Sequence, residues 1–274
     1  MQRVDTVDQV FTAIQRVKSN APAFCTNFFP WERKLRGWID HAELFGEFRD
    51  EVAFFMRKDR DFWHLYFCAA GGETLKRGIA LLTDLKKEPV VVDLIGNETA
   101  SNELAVLIES GEFRPYRRFH RMARTGLAHV QPSGANGSPV VYADRADAPT
   151  ILNLLCHSFD RYAEQLPMLY EIETAIDNRQ VLVAKHEGTL AGLLFFETQG
   201  FTSMLRYWLV SERFRAFRFG SALMYGYFTT QKTVRRFVLW VLTGNENAIQ
   251  KYQHYGYVAD GLVNLVLANQ IIRA

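Results

Sequence analysis

A segment of nine residues, 131–139, constrains the architecture of this chain more than any other part of its sequence. It reads QPSGANGSP, in which two prolines, two glycines, two serines and an asparagine occur without a bulky apolar side chain. Such a segment cannot contribute to a hydrophobic core, and its composition is typical of a linker. With 274 residues, the chain is long enough to bury two cores. The sequence therefore predicts one domain over residues 1–130 and a second over residues 140–274, joined by the linker 131–139.

Charge and cysteine content exclude several classes of protein. Lysine and arginine number 32 and aspartate and glutamate 30, so the formal net charge is +2. This balance argues against a basic nucleic-acid surface and against a polybasic membrane anchor. No apolar run reaches the roughly 18 residues of a membrane-spanning helix, and the first residues do not resemble a signal peptide. The three cysteines are widely separated, so we expect neither a disulfide framework nor a metal site. A cytoplasmic protein is the simplest expectation.

The second half predicts strands and helices in an informative order. Three strand-like segments follow one another at residues 181–185, 190–197 and 203–210, which are rich in β-branched and aromatic side chains. A helix, a strand, a helix and a closing strand segment come after them. This order predicts an α/β fold with a mixed sheet.

A faint repeat connects the two halves. The tetrapeptide IGNE follows the strand-like run VVVDL in the first half, and TGNE follows FVLWVL in the second. The two GNE triplets are 148 residues apart. The glycines after the next helix in each half, Gly111 and Gly256, are 145 residues apart. A near-constant offset is typical of a duplicated domain.

The segment at residues 209–224, LVSERFRAFRFGSALM, predicts an anion site. A strand ends at Val210, and Gly220 opens a helix. The loop between them carries three arginines, Arg213, Arg215 and Arg218. The first N–H groups of a helix have no partner within it, and the helix dipole favours negative charge there. Arginines add charged donors. The length of the loop suits a diphosphate, although the pattern also fits a solvated basic loop before an ordinary helix.

A second segment, residues 245–257, reads NENAIQKYQHYGY. Together the two segments resemble the GCN5-related N-acetyltransferase (GNAT) superfamily. That family has a strand ending in Val, an Arg/Gln-x-x-Gly-x-Gly/Ala loop that opens a helix, and later Asn-x-x-Ala-Ile-x-x-Tyr followed by Gly-Phe. In the first motif the matching positions are Val210, Glu212, Arg215, Gly220, Ser221 and Ala222. In the second motif they are Asn245, Ala248, Ile249, Tyr252, Gly256 and Tyr257.

The loop departs from the family pattern at one position. The family has a glycine where this chain has Arg218. In the family that glycine lets backbone amides surround the pyrophosphate of acetyl-CoA. A side chain there either obstructs the cofactor or places a guanidinium on a phosphate. A shift of the alignment by one position spoils the spacing back to Val210, so the first register is preferred.

The resemblance implies two tandem GNAT-like domains, each a mixed, mostly antiparallel sheet flanked by helices. It implies acetyl-CoA as the acyl donor in the second domain. The residues implied to bind it are Leu209, Val210, Arg215, Arg218, Gly220, Ser221, Ala222 and Asn245. The first domain is expected to be degenerate, because it lacks the arginine-and-glycine loop and has Leu107 in the position of Tyr252.

The resemblance also implies a mechanism. An amine attacks the thioester carbonyl directly, and Tyr252 protonates the leaving thiolate. Glu197 is our first choice for the general base. The other candidates are Asp160, Glu164, Glu171, Glu173, His157 and His254. Relay of the proton by water is a further alternative.

We expect an N-acetyltransferase that acts on a primary amine of a small molecule, an amino acid or a peptide, as a monomer or homodimer. Two alternatives remain open at this point. One is an acyl or aminoacyl transferase that uses a carrier protein or a charged tRNA, although the balanced charge disfavours RNA. The other is a non-enzymatic ligand-binding protein of the same fold, in which Arg218 marks the loss of CoA binding.

Overall fold

The computed structural model describes residues 1–82, 87–126, 140–269 and 272. The expected linker at residues 131–139 lies outside the described residues. Tertiary contacts divide the chain into two compact units. The first consists of Met1–Phe119 and of the chain from Gly261 on, and the second is His120–Asp260.

The first unit begins with two helices and then forms a sheet. Its elements are β1 (Gln2–Arg3), α1 (Val7–Ser19), β2 (Cys25–Thr26), α2 (Glu32–Asp40), β3 (Leu44–Phe48), β4 (Val52–Asp59), β5 (Phe62–Ala69), α3 (Gly72–Ala80), β6 (Val90–Asn97), α4 (Glu98–Glu109) and the first part of β7 (Phe113–Thr125). Of these elements, the sequence analysis above located β6, as the strand-like run VVVDL, and the helix α4 that follows it.

The second unit repeats this order. After the end of β7 its elements are β8 (Val140–Tyr142), α5 (Ala148–Ser158), α6 (Leu169–Asp177), β9 (Val181–His186), β10 (Thr189–Gln199), β11 (Thr202–Val210), α7 (Phe219–Thr230), β12 (Arg236–Leu242), α8 (Glu246–His254) and the start of β13 (Val258–Asn269). Its sheet has the order β7-β12-β11-β10-β9-β8. Strands β8 to β11 pair antiparallel, whereas β11 and β12 pair parallel.

The sheet of the first unit has the order β1-β3-β4-β5-β6-β13. The pairs β1–β3, β3–β4, β4–β5 and β6–β13 are antiparallel, whereas β5 and β6 pair parallel. Its last strand comes from the end of the chain, because Leu262–Ala268 pairs with β6. The sequence instead assigned all of residues 140–274 to one domain. Sequence patterns report which residues form a strand, but they do not report which distant strand it pairs with.

Each sheet buries both of its faces. In the second unit one face packs against α7 and α8 through residues such as Leu223 and Tyr227, and the other packs against α5 and α6 through Ile151 and Ile172. The first unit has two corresponding clusters, one with α3 and α4 and one with α1 and α2. The predicted fold class, a mixed and mostly antiparallel sheet flanked by helices, is confirmed.

The GNE repeat has a local structural cause. Asn97 precedes α4, and its side chain accepts a hydrogen bond from the backbone N–H of Ala100 at 2.8 Å. Asn245 precedes α8 in the same way and accepts from Ala248 at 3.2 Å. Asparagine favours this position because its side chain satisfies an N–H group that the helix itself leaves free. The repeated asparagine therefore starts equivalent helices in the two units.

Among the described residues, no helix has both the length and the apolar character needed to cross a membrane.

Candidate active site

The candidate site lies where two parallel strands of the second unit stop pairing. β11 pairs with β12 from Thr202 opposite Arg236 to Leu205 opposite Leu239. Both strands continue beyond that point, β11 to Val210 and β12 to Leu242. The ladder thus ends before the strands do, which separates the last part of β11 from its parallel neighbour. Leu209 and Val210, both predicted to bind the donor, lie on this part of β11 and pair with β10 on its other side.

Arg218 adopts an unusual backbone conformation immediately before α7. Its φ is +59° and its ψ is 20°, in the left-handed region. Glycine occupies this region without cost, whereas an L-residue with a Cβ is strained there. The conformation explains why the motif has a glycine at this position. Arg218 nevertheless preserves the turn, so its side chain does not change the path of the loop into the helix.

The first turn of α7 offers free backbone donors. The first helical hydrogen bond runs from Ala222 N–H to the Arg218 carbonyl at 3.2 Å. The N–H groups of Gly220 and Ser221 precede it and belong to the free donors of the helix start. The guanidinium of Arg218 is exposed and forms no ion pair or hydrogen bond within the described residues. Free donors and an unpaired cation together suit an anionic ligand.

Gly220 allows α7 to approach the end of β11 closely. A Cβ at this position would lie 3.3 Å from Cζ2 of Trp208 and 3.6 Å from Cγ2 of Val210. The indole Nε1 of Trp208 is buried and has no hydrogen-bond partner among the described residues. A buried donor without a partner carries a cost in free energy, which a bound acceptor atom removes.

The other arginines of the loop are placed differently. Residues Glu212–Phe217 form a short 3-10 helix. Arg215 pairs there with Glu212, with 3.2 Å between Nη2 and Oε1, and both side chains are mostly exposed. Arg213 lies over the ring of Phe214 at 4.5 Å. Arg215 therefore has a carboxylate partner, and Arg218 has none within the described residues.

Tyr252 lies on α8 and faces the end of β11. Its ring centroid is 5.8 Å from that of Trp208. Its hydroxyl forms no hydrogen bond within the described part of the chain. Burial raises the pKa of Tyr252 above its ordinary value, and the charge of Glu164 raises that pKa further. The phenol is therefore fully protonated at neutral pH and has a proton to donate.

On the opposite face of the sheet, Tyr207 anchors the segment between α5 and α6. Its hydroxyl lies 3.0 Å from the carbonyl oxygen of Glu164 and 2.8 Å from that of Gln165, and donates to them. Gln165 has a φ of +46°, in the left-handed region. Burial, and then the charge of Asp160, raise the pKa of Glu164 to about 7, although Arg206 opposes this shift.

Arg206 is the extra residue of a β-bulge in β11. Tyr207 pairs with Phe195 and Leu205 with Phe196, so Arg206 has no opposite residue on β10. A bulge of this kind changes the direction of side chains. The Nε of Arg206 lies 3.9 Å from Oε1 of Glu197, the residue chosen first as general base. The structure therefore places Glu197 beside a cation, at a longer distance than a hydrogen bond.

Comparison with known proteins shows which family the second unit resembles. The sequence model of the Acetyltransferase (GNAT) family matches residues 148–257, which lie within the second unit. No curated protein sequence matches the chain. The tandem form is supported by a solved tandem GNAT protein from the clavulanic acid biosynthesis pathway, with a TM-score of 0.64 at 11% identity. That similarity covers 98% of this chain and 96% of the other.

Two further GNAT structures are similar over most of their length. One is a GCN5-related N-acetyltransferase from Sphaerobacter thermophilus, with a TM-score of 0.57 at 16% identity, covering 89% of this chain and 86% of that one. The other is an acetyltransferase from Colwellia psychrerythraea, with a TM-score of 0.56 at 11% identity, covering 97% and 98%. At such low identity these similarities concern the fold.

In the first unit, a side chain joins the strands that correspond to β11 and β12. Parallel pairing of β5 and β6 ends at His64 opposite Val91. Beyond it, the Nδ2 of Asn27 donates to the Leu65 carbonyl on β5 at 3.0 Å and to the Asp93 carbonyl on β6 at 3.1 Å. Its Oδ1 accepts from Phe67 N–H at 2.7 Å. In the second unit the strands β11 and β12 separate after their paired part. In the first unit Asn27 instead connects the corresponding strands, β5 and β6, by hydrogen bonds.

The sequence alone did not single out several residues of the candidate site. It named Glu164 only among several acids and did not name Arg206, Tyr207 or Trp208. The run Arg-Tyr-Trp at the end of a predicted strand was the available signal, because large polar side chains there are unusual for a buried edge. The bulge that orients them cannot be read from the sequence.

Proposed function

We propose that the second unit transfers an acetyl group from acetyl-CoA to a primary amine of a small molecule, an amino acid or a peptide. One observation carries this proposal. The ring of Tyr252, whose hydroxyl has no hydrogen-bond partner among the described residues, packs against Trp208 on the part of β11 that has separated from β12. An acyl donor held along β11 brings its sulfur towards this hydroxyl.

The binding of the donor is assigned to the predicted residues. The backbone of Leu209 and Val210 pairs with the pantetheine arm, and the Asn245 amide contacts the donor near Tyr252. The pyrophosphate lies at the start of α7, against Ala222, where it meets the free N–H groups of Gly220 and Ser221 and the guanidinium groups of Arg215 and Arg218. The free donors at this helix start and the unpaired Arg218 support the assignment.

The raised pKa of Tyr252 selects between two ways of protonating the leaving group. A phenol is a weaker acid than a thiol, so it protonates a thiolate either after its pKa falls or in concert with cleavage of the C–S bond. Burial and the charge of Glu164 both raise the pKa of Tyr252. Tyr252 therefore donates its proton as negative charge develops on sulfur.

We also propose that the enzyme works in the cytoplasm, as a monomer or homodimer, on a soluble amine. Three free cysteines support a reducing compartment: Cys25 is partly buried, Cys68 is buried and Cys156 is exposed. Positive and negative side chains are nearly balanced in number, which favours a small acceptor over a nucleic acid.

Thermal unfolding with and without acetyl-CoA tests the first step, because a ligand that binds only the folded state raises its stability. We expect a rise in Tm with acetyl-CoA, and a smaller rise with ATP as a control for phosphate binding. Incubation with acetyl-CoA and a panel of primary amines, followed by mass spectrometry, then tests transfer. An absence of any effect of acetyl-CoA on Tm contradicts the proposed function.

A further inference from the structure

We propose that Arg124 on β7 is a positioning residue, which fixes the C-terminal end of α8 and thereby orients the hydroxyl of Tyr252. The inference rests on the proposed acetyl transfer, in which this hydroxyl protonates the leaving thiolate. Arg124 lies outside both sequence motifs, and its role follows from the contacts that it makes within the second unit.

Arg124 is a buried cation without a carboxylate partner. The exposed fraction of the residue is 6%. Its Nη1 donates to the carbonyl of Tyr255 at 2.7 Å, and its Nη2 donates to the carbonyl of Gly126 at 3.3 Å. Its Nε is buried without a hydrogen-bond partner, and among the described residues no carboxylate pairs with the guanidinium. A buried charge is costly unless its surroundings compensate it, so this arginine depends on the groups around it.

The end of α8 and two aromatic rings provide this compensation. The C-terminal end of a helix carries a partial negative charge, and the Tyr255 carbonyl lies at that end of α8. The Cζ of Arg124 lies 4.5 Å from the ring centroid of Phe228 on α7 and 5.9 Å from that of Phe237 on β12. The guanidinium therefore connects the end of α8 with α7, β12 and β7.

The placement of α8 depends strongly on its two ends. The structure describes every residue of this helix, and none of them is fully buried. Ala248, Ile249 and Tyr252 pack against the core while remaining partly exposed. A helix is usually held by a buried apolar face, so one without fully buried residues relies more on its caps. Asn245 caps the start of α8, and the contacts of Arg124 are at the other end.

The backbone of Tyr252 belongs to the turn that Arg124 holds. Gly256 ends α8 with a φ of +79°. The N–H groups of Tyr255 and Tyr257 both donate to the Tyr252 carbonyl, at 3.0 Å and 3.1 Å. A glycine of positive φ, followed by an N–H that bonds five residues back, is typical of a Schellman motif. Because Arg124 binds the Tyr255 carbonyl in this same turn, it restrains the residue that carries the proposed acid.

The consequence for catalysis is specific. A displacement of a reacting group by about 1 Å lowers a rate by about 10²-fold, although binding can remain unchanged. Arg124 contacts neither the donor nor the acceptor in the proposed reaction, so its loss should alter turnover and leave the affinity for acetyl-CoA as it is. Its effect should also require the hydroxyl of Tyr252.

A double-mutant cycle tests this dependence. Arg124→Lys retains a charge and a donor but loses the planar guanidinium that reaches both the Tyr255 carbonyl and the Phe228 ring. We measure kcat and the Kd for acetyl-CoA in Arg124→Lys, in Tyr252→Phe and in the double variant, with the most active amine of the panel at saturating concentration. Arg124→Lys should lower kcat by about 10–10²-fold with an unchanged Kd. It should cause no further fall in the Tyr252→Phe background.

Arg235→Lys is the matched control. The Arg235 guanidinium also lies 4.5 Å from an aromatic ring, that of Phe201, but the residue is exposed and directly precedes β12. Its kcat should equal that of the parent. A fall in kcat of the same size when Arg124→Lys is introduced into the parent and into Tyr252→Phe indicates a general loosening of the fold and overturns the proposal. Parental kcat in Arg124→Lys also overturns it. If Arg124→Lys does not fold, Arg124→Gln takes its place, because its amide keeps a donor for the Tyr255 carbonyl.

Amide hydrogen exchange gives a second readout that does not depend on the amine. Exchange in the segment 245–257 is followed by mass spectrometry. Arg124→Lys should accelerate exchange in the last turn of α8, whereas Arg235→Lys should not, and unchanged exchange in Arg124→Lys overturns the proposal. A parent protein that acetylates no amine of the panel contradicts the proposed function, and the role of Arg124 in orienting an acid falls with it. Faster exchange in Arg124→Lys then still shows that Arg124 holds the end of α8.

Discussion

The hydroxyl of Tyr207 and the backbone carbonyl of Glu164 are 3.0 Å apart, so a strand residue of the sheet holds the backbone of Glu164, one of the candidates for general base. The two residues are 43 positions apart in the chain. This hydrogen bond connects the separated end of β11 with the segment between α5 and α6. It makes the position of this segment depend on the strand that is proposed to hold the donor.

Tyr207→Phe should therefore lower the stability of the folded protein. It removes the donor to Glu164 and Gln165 and leaves two carbonyl groups without it, so we expect the free energy of unfolding to fall by about 1–2 kcal/mol. Urea unfolding measures this loss. Tyr225→Phe, whose hydroxyl has no hydrogen bond within the described residues, is the control.

Tyr252→Phe separates chemistry from binding. The change removes only a hydroxyl that makes no hydrogen bond within the described part of the chain, so the packing of the ring against Trp208 should persist. We expect turnover to fall by about 10–10⁴-fold with little change in the Kd for acetyl-CoA. Tyr255→Phe is a matched control, because its ring lies at the same 5.8 Å from Trp208. Normal turnover in Tyr252→Phe removes this residue from the mechanism.

Arg218→Gly tests the departure from the family motif. Glycine adopts the left-handed conformation without a Cβ penalty, so the free energy of unfolding should not fall. Loss of a guanidinium that contacts phosphate should raise the Kd for acetyl-CoA by about 5–30-fold. Calorimetric titration with acetyl-CoA measures the Kd of the parent and of the variant. An equal or tighter Kd in the glycine variant shows that the arginine does not contact the donor.

Arg215→Ala tests the second cation of the loop. We expect binding of acetyl-CoA to weaken by about 1–3 kcal/mol, the scale of a charged hydrogen bond. In the free protein Arg215 pairs with Glu212 on the surface, and such pairs contribute little to stability. The same titration therefore measures the contact with the donor. Arg213→Ala is the control, and unchanged binding in Arg215→Ala contradicts the assignment.

The first unit should bind no acyl-CoA, so titration should give one acetyl-CoA per chain. Asn27 closes the gap between β5 and β6 with three hydrogen bonds to backbone groups. Asn27→Ala leaves these groups without partners and should lower stability by about 1–3 kcal/mol. Asn20→Ala, at an exposed helix end, is the control. Binding of two acetyl-CoA molecules per chain contradicts the expectation that the first unit binds none.

The pKa of Glu164 predicts a pH dependence of stability. This carboxyl holds its proton up to a pH of about 7 in the folded protein, against a usual value of 4.5. Raising the pH between these values therefore favours the unfolded chain, and the loss is complete above about 7. Relative to the parent, Glu164→Gln should gain about 1–3 kcal/mol between pH 4.5 and 8. Thermal unfolding over this range measures the gain, and Glu187→Gln in an exposed turn should show none.

The sequence by itself was sufficient for the features that depend on neighbouring residues. Asn245, Gly220 and Tyr252 could be located because a helix cap, a helix start and a helix face are determined within a few residues. The same local rules predicted most strands and helices of the second unit. Family resemblance then connected these positions to acetyl-CoA.

Tertiary structure decided what depends on distant parts of the chain. The pairing of Leu262–Ala268 with β6 joins segments about 170 residues apart, and strand register is not encoded locally. The bulge at Arg206, the hydrogen bonds by which Asn27 connects β5 and β6, and the raised pKa of Glu164 likewise depend on contacts with distant segments. Burial and hydrogen bonding by remote segments determine how these side chains are oriented and how they titrate, so the chemistry of the site emerges only when the chain is folded.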